Sequence, residues 1–374
     1  MFSDFDGFAM TRALALAERG LETTHPNPRV GCVIAQGEEI VGEGWHERAG
    51  EAHAEVAAVR AAGARAAGAT VYVTLEPCSH YGRTPPCVDT LIGARVARVV
   101  FAVEDPNPRV RGQGAEALRR AGIAVESGLM EREATELNAG FMKRMQHGRP
   151  WVRVKLAMSL DGRTALASGA SQWITGEAAR QDVQHWRARS SAVMTGVATV
   201  LADDPRLDVR LPGDRPDGTK WQPLRVVLDS WLRTPAGARL LTTGGDVLIL
   251  TAQIEDRATR RSALTERGAR VEELPSAAGR LDLSAVLDRL GELEVNELLV
   301  EAGPTLAGEL IRHALLDELL LYVAPKLLGP QGRPLVELPE LAKLQDAHRF
   351  TLVDVQRLGA DMRLQLRPVP LEEG

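Results

Sequence analysis

The chain has 374 residues, a net charge of −5 and 44% hydrophobic residues, which favours a globular protein with two domains. The negative charge and the aromatic content of only 4% argue against a polynucleotide partner, because such partners need basic surfaces and stacking platforms. Three irregularly spaced cysteines argue against a disulfide framework. The sequence shows neither a signal peptide nor an apolar run of membrane-spanning length, so we expect a cytoplasmic protein without membrane contacts.

The first half of the chain alternates helical and β-rich segments, which predicts a layered helix–sheet–helix domain. We predict strands over residues 30–34, 40–45, 71–75, 97–103 and 123–127, and helices over 5–21, from 53, 114–121 and 130–146. Gly148 and Pro150 end the last helix, and a new strand begins at Trp151. The sequence therefore predicts domains over residues 1–147 and 148–374, and the fold class is α/β.

The second half alternates in the same way, with amphipathic helices between predicted strands over 192–196, 224–228, 247–250, 298–300, 317–324 and 350–367. Residues 206–223 are loop-like, and no Gly-x-Gly-x-x-Gly follows a strand, so the Rossmann fingerprint is absent. The strand at 298–300 runs into a glycine turn and then Pro304, which suits the first position of a helix. Such a helix start can bind a phosphate, although many similar turns bind nothing.

The most specific motif is His53-Ala-Glu55 followed by Pro77-Cys78 and then Cys87. A hydrolytic zinc site takes three protein ligands and leaves one position open for water, which His53, Cys78 and Cys87 satisfy. Zinc deaminases use this arrangement with the glutamate as general acid and base, so we assign that role to Glu55. Eight residues separate the two cysteines where the general signature has two. The alternative is that the motif occurs by chance and binds no metal, because free cysteines, as we expect for Cys32, are usually small buried apolar groups.

In its motifs the sequence resembles the bifunctional riboflavin-biosynthesis family, which joins a pyrimidine deaminase to a ribosyl reductase. In that family the long insert between the cysteines is the usual form of the deaminase signature. The resemblance covers nearly the whole chain and is carried by THPNPRVG (24–31), HAE (53–55), EPCSH (76–80), GRTPPC (82–87), DPNPRVRG (105–112), KLAMSLDG (155–162), SQWIT (171–175), ADDP (202–205) and EAGPT (301–305).

For the first domain, the resemblance implies a cytidine-deaminase-like fold that removes the 2-amino group of 2,5-diamino-6-(5-phosphoribosylamino)pyrimidin-4(3H)-one. Zinc-activated water would attack the ring carbon that carries the amine, while Glu55 moves the protons. Asn27 is expected to hydrogen-bond the pyrimidine, and His80 lies on the insert expected to cover it. Either residue could instead be an ordinary turn residue.

For the second domain, the resemblance implies a dihydrofolate-reductase-like fold that uses NADPH to reduce the ribose of 5-amino-6-(5-phosphoribosylamino)uracil to a ribityl chain. Lys155 and Asp203 would face the reacting ribose, although a strand-edge charge and a helix-ending turn are the alternatives. The expected cofactor contacts are Ala157, Trp173, Thr199, Asp203, Ser230, Gly303, Pro304, Thr305, Leu306, Ala307, Gly308 and Glu309. The expected substrate contacts are Ser171, Arg187, Leu207, Arg210 and Glu301, with the arginines suited to its phosphate.

Three other hypotheses remain open at this level: deamination of a nucleic-acid base or free nucleoside, an active deaminase with an inactive reductase half, and a zinc-stabilised scaffold without activity. The acidic charge argues against the first, and the intact Lys155, Asp203 and Glu301 argue against the second. A structural zinc site would need a fourth ligand, which the motif does not supply. The resemblance implies small phosphoribosylaminopyrimidine substrates, zinc and NADPH, and we also expect assembly into a homo-oligomer.

Overall fold

The computed structural model describes residues 2–79, 85–107, 111–211, 221–253 and 257–369. These residues divide into two compact units, Met1–Gly148 and Arg149–Gly374. The division lies one residue beyond the boundary expected from the sequence, because Gly148 with its positive φ of 71° closes the last helix of the first unit.

The first unit is built on a five-stranded sheet of order β2-β1-β3-β4-β5. Strand β1 is antiparallel to both β2 and β3, whereas β3, β4 and β5 are parallel. Its elements are α1 (Asp4–Glu18), β1 (Gly31–Gln36), β2 (Glu39–Trp45), α2 (Ala54–Ala62), β3 (Thr70–Leu75), α3 (Cys87–Gly93), β4 (Arg98–Val103), α4 (Gln113–Arg120), β5 (Ala124–Ser127), α5 (Glu131–Leu137) and α6 (Ala139–His147).

Helix α2 packs unusually close to strand β2 because both surfaces consist of small residues. A Cβ atom on Gly42 would lie 2.4 Å from the carbonyl oxygen of Ala58, and one on Gly44 would lie 2.5 Å from that of Ala54. Any larger residue at either glycine would therefore push the helix away from the sheet. This close packing fixes the start of α2, where two residues of the zinc motif lie.

The second unit contains a nine-stranded sheet of order β11-β10-β9-β8-β14-β6-β15-β18-β17, in which β18 and β17 are antiparallel to their neighbours and the rest are parallel. Its elements are β6 (Trp151–Ser159), β7 (Arg163–Ala165), α7 (Glu177–Arg189), β8 (Ala192–Gly196), α8 (Val197–Asp203), β9 (Leu224–Leu228), β10 (Val247–Ala252), α9 (Ala258–Thr265), β11 (Arg270–Leu274), β12 (Ser276–Ala277), β13 (Arg280–Leu281), α10 (Leu283–Glu292), β14 (Glu297–Glu301), α11 (Pro304–Arg312), β15 (Glu318–Ala324), β16 (Arg333–Pro334), β17 (Phe350–Leu358) and β18 (Asp361–Pro368).

Two predicted elements each turn out to be a pair. The helix expected over 130–146 is interrupted at Asn138, whose side chain accepts from the backbone N–H of Arg29 at 2.8 Å and donates to its carbonyl at 2.9 Å. The strand expected over 350–367 is a hairpin that turns at Gly359, where φ is 66°. Within the described residues, no helix has both the length and the apolar character needed to cross a membrane.

Candidate active sites

The three predicted zinc ligands lie together in the first unit. His53 is the N-cap of α2, Cys78 follows β3, and Cys87 begins α3. The distance from His53 Nδ1 is 3.1 Å to Cys87 Sγ and 3.6 Å to Cys78 Sγ, and the three ligand atoms lie within 4.8 Å of one another. Two thiols and one imidazole at such distances fit a zinc ion with one position left for water.

The two thiols share their protons unequally. Hydrogen bonds from Cys87 and His53 lower the pKa of Cys78, despite its partial burial. The neighbouring Cys78 and burial raise the pKa of Cys87. Cys78 is therefore the first of the two cysteines to lose its proton. The resulting thiolate is the form in which a cysteine binds metal.

Glu55 lies two residues after His53, in the first turn of α2, and is only 3% exposed. Burial, followed by the nearby charge of Cys78, raises the pKa of Glu55. A raised pKa makes a carboxyl group a better acceptor for a proton that it later passes on. Glu55 therefore has the environment of a general acid and base beside the cysteine and histidine cluster.

Asn27 is held by a histidine that sequence reasoning did not single out. His46 is buried, and its Nδ1 lies 3.1 Å from the carbonyl oxygen of Ala52, which can only accept, so Nδ1 carries the proton. The other ring nitrogen then accepts from Asn27 Nδ2 at 3.0 Å. This orientation leaves Asn27 Oδ1 for an N–H donor on a ligand. His46 also packs edge to face against His53, with ring centroids 5.3 Å apart.

His80, the other predicted pyrimidine contact, lies outside the described residues. Cys32 is fully buried in the core of the first unit, as expected for a structural cysteine.

In the second unit, a cavity of about 1590 Å³ brings together most of the predicted reductase residues. Typical small-molecule pockets measure about 300–1,000 Å³, so this cavity has room for a dinucleotide and a second ligand. Predicted residues that line it are Lys155, Ala157, Ser171, Trp173, Arg187, Thr199, Asp203, Leu207, Arg210, Ser230, Glu301, Gly303, Pro304, Thr305, Leu306 and Glu309.

Two predicted cofactor residues do not line this cavity. Helix α11 directs Ala307 into the core of the unit, where it is fully buried. Gly308 faces another segment so closely that a Cβ atom would lie 2.0 Å from the carbonyl oxygen of Glu337. The start of the same helix, with Gly303 as N-cap and Pro304 next, does line the cavity and offers free backbone N–H groups to a phosphate.

Lys155 and Glu301 lie in this cavity beside Arg187, which is paired with Glu301. Arg187 donates to both carboxylate oxygens of Glu301, at 2.5 and 2.9 Å, and to the carbonyl of Asp208 at 2.9 Å. Burial alone would raise the pKa of Glu301, but the charge and hydrogen bonds of Arg187 lower this pKa overall. Burial lowers the pKa of Lys155, against the opposing charge of Glu301. Protein groups thus accept from three of the five N–H donors of Arg187, and its contact with the substrate phosphate stays a prediction.

Arg210 is the more accessible of the two predicted phosphate ligands. Its side chain is 49% exposed, and it pairs with Asp208 at 2.5 Å. Tyr322, which sequence reasoning did not single out, places its ring 5.8 Å from Lys155 Nζ. The Tyr322 hydroxyl donates to Asp182 at 2.6 Å. No sequence signal marked this tyrosine, because it lies within an apolar strand.

Asp203 is the last residue of α8 and lines the cavity. The following Asp204 has a positive φ of 41° and accepts from the backbone N–H of Arg239 at 2.8 Å. Asp203 and Asp204 therefore form a helix-ending turn, which was the alternative to a role in the site, and they also line the cavity.

This fold and these two sites define a class of enzyme in which a cytidine-deaminase-like zinc domain is joined to a dihydrofolate-reductase-like reductase domain. Residues 3–103 match the cytidine and deoxycytidylate deaminase zinc-binding region, and residues 150–364 match the RibD C-terminal domain.

Relatives of known name match over nearly their full lengths. The riboflavin biosynthesis protein RibD of Escherichia coli K12 is 51% identical over 368 residues, covering 96% of this chain and 99% of the relative. The solved structure of Acinetobacter baumannii RibD is 46% identical with a TM-score of 0.90, covering 98% of this chain and 99% of the other. The chain belongs to the RibD family of bifunctional deaminase/reductases in riboflavin biosynthesis. Zinc and NADPH are the cofactors of its two domains.

The description of a third relative states its two activities. This Thermotoga maritima protein, a diaminohydroxyphosphoribosylaminopyrimidine deaminase/5-amino-6-(5-phosphoribosylamino)uracil reductase, is 32% identical with a TM-score of 0.85. The similarity covers 98% of this chain and 99% of the relative.

Proposed function

We propose that residues 1–147 deaminate 2,5-diamino-6-(5-phosphoribosylamino)pyrimidin-4(3H)-one and that residues 148–374 reduce the ribose of the deaminated product with NADPH. The observation that carries this proposal is the presence, in one chain, of the His53, Cys78 and Cys87 cluster beside a buried glutamate and of a separate dinucleotide-sized cavity. The activities named for the Thermotoga maritima relative support the choice of substrates.

In the first site, His53, Cys78 and Cys87 would hold zinc, which lowers the pKa of a bound water toward neutrality. Glu55 would carry two protons in turn: one from the water to the ring nitrogen as the oxygen adds to the ring carbon, and a second from the resulting hydroxyl to the amino group, which leaves as ammonia. Burial raises the pKa of Glu55, which favours its acceptance of a proton. Asn27 Oδ1, oriented through His46, would accept from an N–H group of the diaminopyrimidine.

In the second site, residues that line the cavity would hold NADPH, which would supply the hydride for reduction of the ribose. Lys155 and Asp203 would face the reacting ribose, and burial keeps the pKa of Lys155 below its usual range, which eases proton transfer. Glu301 stays ionised beside Lys155 because Arg187 pairs with it. Ser171, Leu207 and the remaining predicted contacts would define the walls of the substrate and cofactor subsites.

The two arginines should differ in their effect on reduction. We expect Arg210→Ala to raise the KM for the deaminated substrate about 10- to 100-fold with little change in kcat, because an exposed charge-assisted phosphate contact binds ground state and transition state alike. Arg187→Ala should lower kcat. It should also lower the free energy of unfolding by about 3–5 kcal/mol, because it leaves Glu301 buried without its partner. Steady-state NADPH oxidation and thermal unfolding measure both effects. A pure KM effect for Arg187→Ala would contradict this division of roles.

Ammonia release and NADPH oxidation, followed separately with the diaminopyrimidine and with its deaminated product, test the proposed function as a whole. The proposal predicts ammonia only from the first compound, and NADPH oxidation from the second without any ammonia. Ammonia release from cytidine or deoxycytidylate in preference to the diaminopyrimidine would favour the nucleoside alternative.

We further propose a cytoplasmic homo-oligomer. The three free cysteines, two of them at the candidate zinc site, fit a reducing compartment. The edge strand β17 exposes Leu352, Val353 and Val355, each at roughly half of its full area, and such an edge can pair with another chain. Cell fractionation tests the location, and light scattering tests the oligomeric state. A monomer in solution would contradict the proposed homo-oligomer.

A further inference from the structure

Glu76 is a buried carboxylate that has no part in the proposed chemistry. It follows β3 directly, two residues before Cys78, and is only 3% exposed. Its carboxylate accepts three backbone N–H groups: Oε2 accepts from Asp105 at 3.3 Å and from Gly112 at 3.0 Å, and Oε1 accepts from Ala115 at 3.1 Å. A buried carboxylate is costly unless it is satisfied in this way, so these donors fix its position.

The donors come from a different part of the unit than Glu76 itself. Asp105 follows β4, whereas Gly112 and Ala115 belong to the N-cap and first turn of α4. A negative charge at a helix start is favourable, because it faces free N–H groups and the positive end of the helix dipole. The carboxylate therefore ties the end of β3 to the first turn of α4.

A close backbone contact supports the same junction independently. A Cβ atom on Gly114 would lie 2.0 Å from the carbonyl oxygen of Pro77 and 3.2 Å from Glu76 Oε1. Glycine is thus required for α4 to pack directly on the backbone of Pro77. The Glu76-Pro77 segment is fixed by a side chain and by a backbone contact at once, leaving little freedom for the next residue.

That next residue is Cys78, which is also held from the other side. Its carbonyl accepts from the backbone N–H of Val88 at 3.2 Å, and its Sγ accepts from the backbone N–H of Cys87 at 3.4 Å. The position of Cys78 Sγ relative to His53 and Cys87 thus depends on two anchors: the segment fixed by Glu76 on one side, and the backbone N–H groups of Cys87 and Val88 on the other.

We propose that Glu76 is a positioning residue of the zinc site: it anchors the end of β3 to the first turn of α4 and so sets the position of Cys78 Sγ relative to the other two ligands. This inference depends on the proposed role of Cys78 as a zinc ligand. Groups that orient metal ligands typically contribute 10- to 100-fold to metal affinity. A residue that served general stability alone would not change that affinity.

The test is zinc affinity of the full-length chain, measured by competition with a chromophoric chelator. Glu76→Gln keeps the size of the side chain but replaces one acceptor oxygen with an NH2 group that faces an N–H donor. We expect zinc to bind about 10- to 100-fold more weakly. Ammonia release should fall in parallel and recover with excess zinc, whereas NADPH oxidation on the deaminated substrate should stay at the wild-type rate. Glu104→Gln is the matched control, because Glu104 is exposed and pairs loosely with Arg111 at 3.7 Å.

Glu76→Asp provides a second variant that keeps the buried charge but is too short to reach both groups of donors. The inference predicts zinc affinity in the order wild type, Glu76→Asp, Glu76→Gln. Wild-type affinity in both variants would overturn it, and so would failure of both to fold, which would make Glu76 a general folding determinant. The proposed function is tested separately by Cys78→Ser: if that variant holds zinc like the wild type, the ligand assignment fails, whatever Glu76 does.

Discussion

Glu55→Gln is expected to reduce ammonia release by about 100- to 10,000-fold while zinc remains bound, because general acid–base catalysis contributes on that scale. Glutamine has the shape of glutamate but cannot accept the proton of the attacking water. Glu55 is buried in the first turn of α2 and is not one of the clustered ligands, so the metal site should persist. Ammonia release and zinc content are the two measurements.

Glu51→Gln is a suitable control for this variant, since Glu51 is an exposed carboxylate just before the same helix. It should release ammonia like the wild type. NADPH oxidation on the deaminated substrate should be unchanged in both variants. Near-native ammonia release from Glu55→Gln would show that another group moves the proton.

Cys87→Ser is expected to lose both zinc and deaminase activity. A serine hydroxyl is a much poorer zinc ligand than a thiolate, and a site with three protein ligands has none to spare. Cys87 Sγ lies 3.1 Å from His53 Nδ1, so the substitution removes a ligand from the centre of the cluster. Zinc content by elemental analysis and ammonia release measure the loss.

Cys32→Ala is the matched control for the cysteine substitution, because Cys32 is fully buried in the core and is not one of the clustered ligands. It should keep its zinc. If Cys87→Ser retained stoichiometric zinc instead, Cys87 would not be a ligand. The spacing of eight residues between Cys78 and Cys87 would then not mark a zinc site.

Much of the fold was accessible from the sequence because the hydrophobic pattern changes period at each element. The buried strands β3, β4 and β10 were predicted within a few residues. The errors arose where a tertiary contact or a single turn divides a continuous pattern. Asn138 interrupts one helix because its side chain binds Arg29, far away in the sequence, and Gly359 turns one apparent strand into a hairpin.

The candidate sites were predictable to the extent that motifs carry them. The spacing of His53, Cys78 and Cys87 predicted a cluster that the structure brings together. Partnerships within the sites were not predictable, because they depend on elements far apart in sequence. The pairing of Arg187 with Glu301 had no signal in the sequence, and His46 carried no motif that linked it to Asn27.

In the proposed function, two independent sites on one chain act in succession on one substrate. The most direct measurement follows ammonia release and NADPH oxidation by the full-length chain before and after zinc is removed with a chelator. Given the diaminopyrimidine, the zinc-free protein should produce no ammonia and oxidise no NADPH, because the first step supplies the substrate of the second. Given the deaminated compound, it should oxidise NADPH at the rate of the zinc-loaded protein. Loss of NADPH oxidation with the deaminated compound, or NADPH oxidation with the diaminopyrimidine in the absence of zinc, would contradict the account.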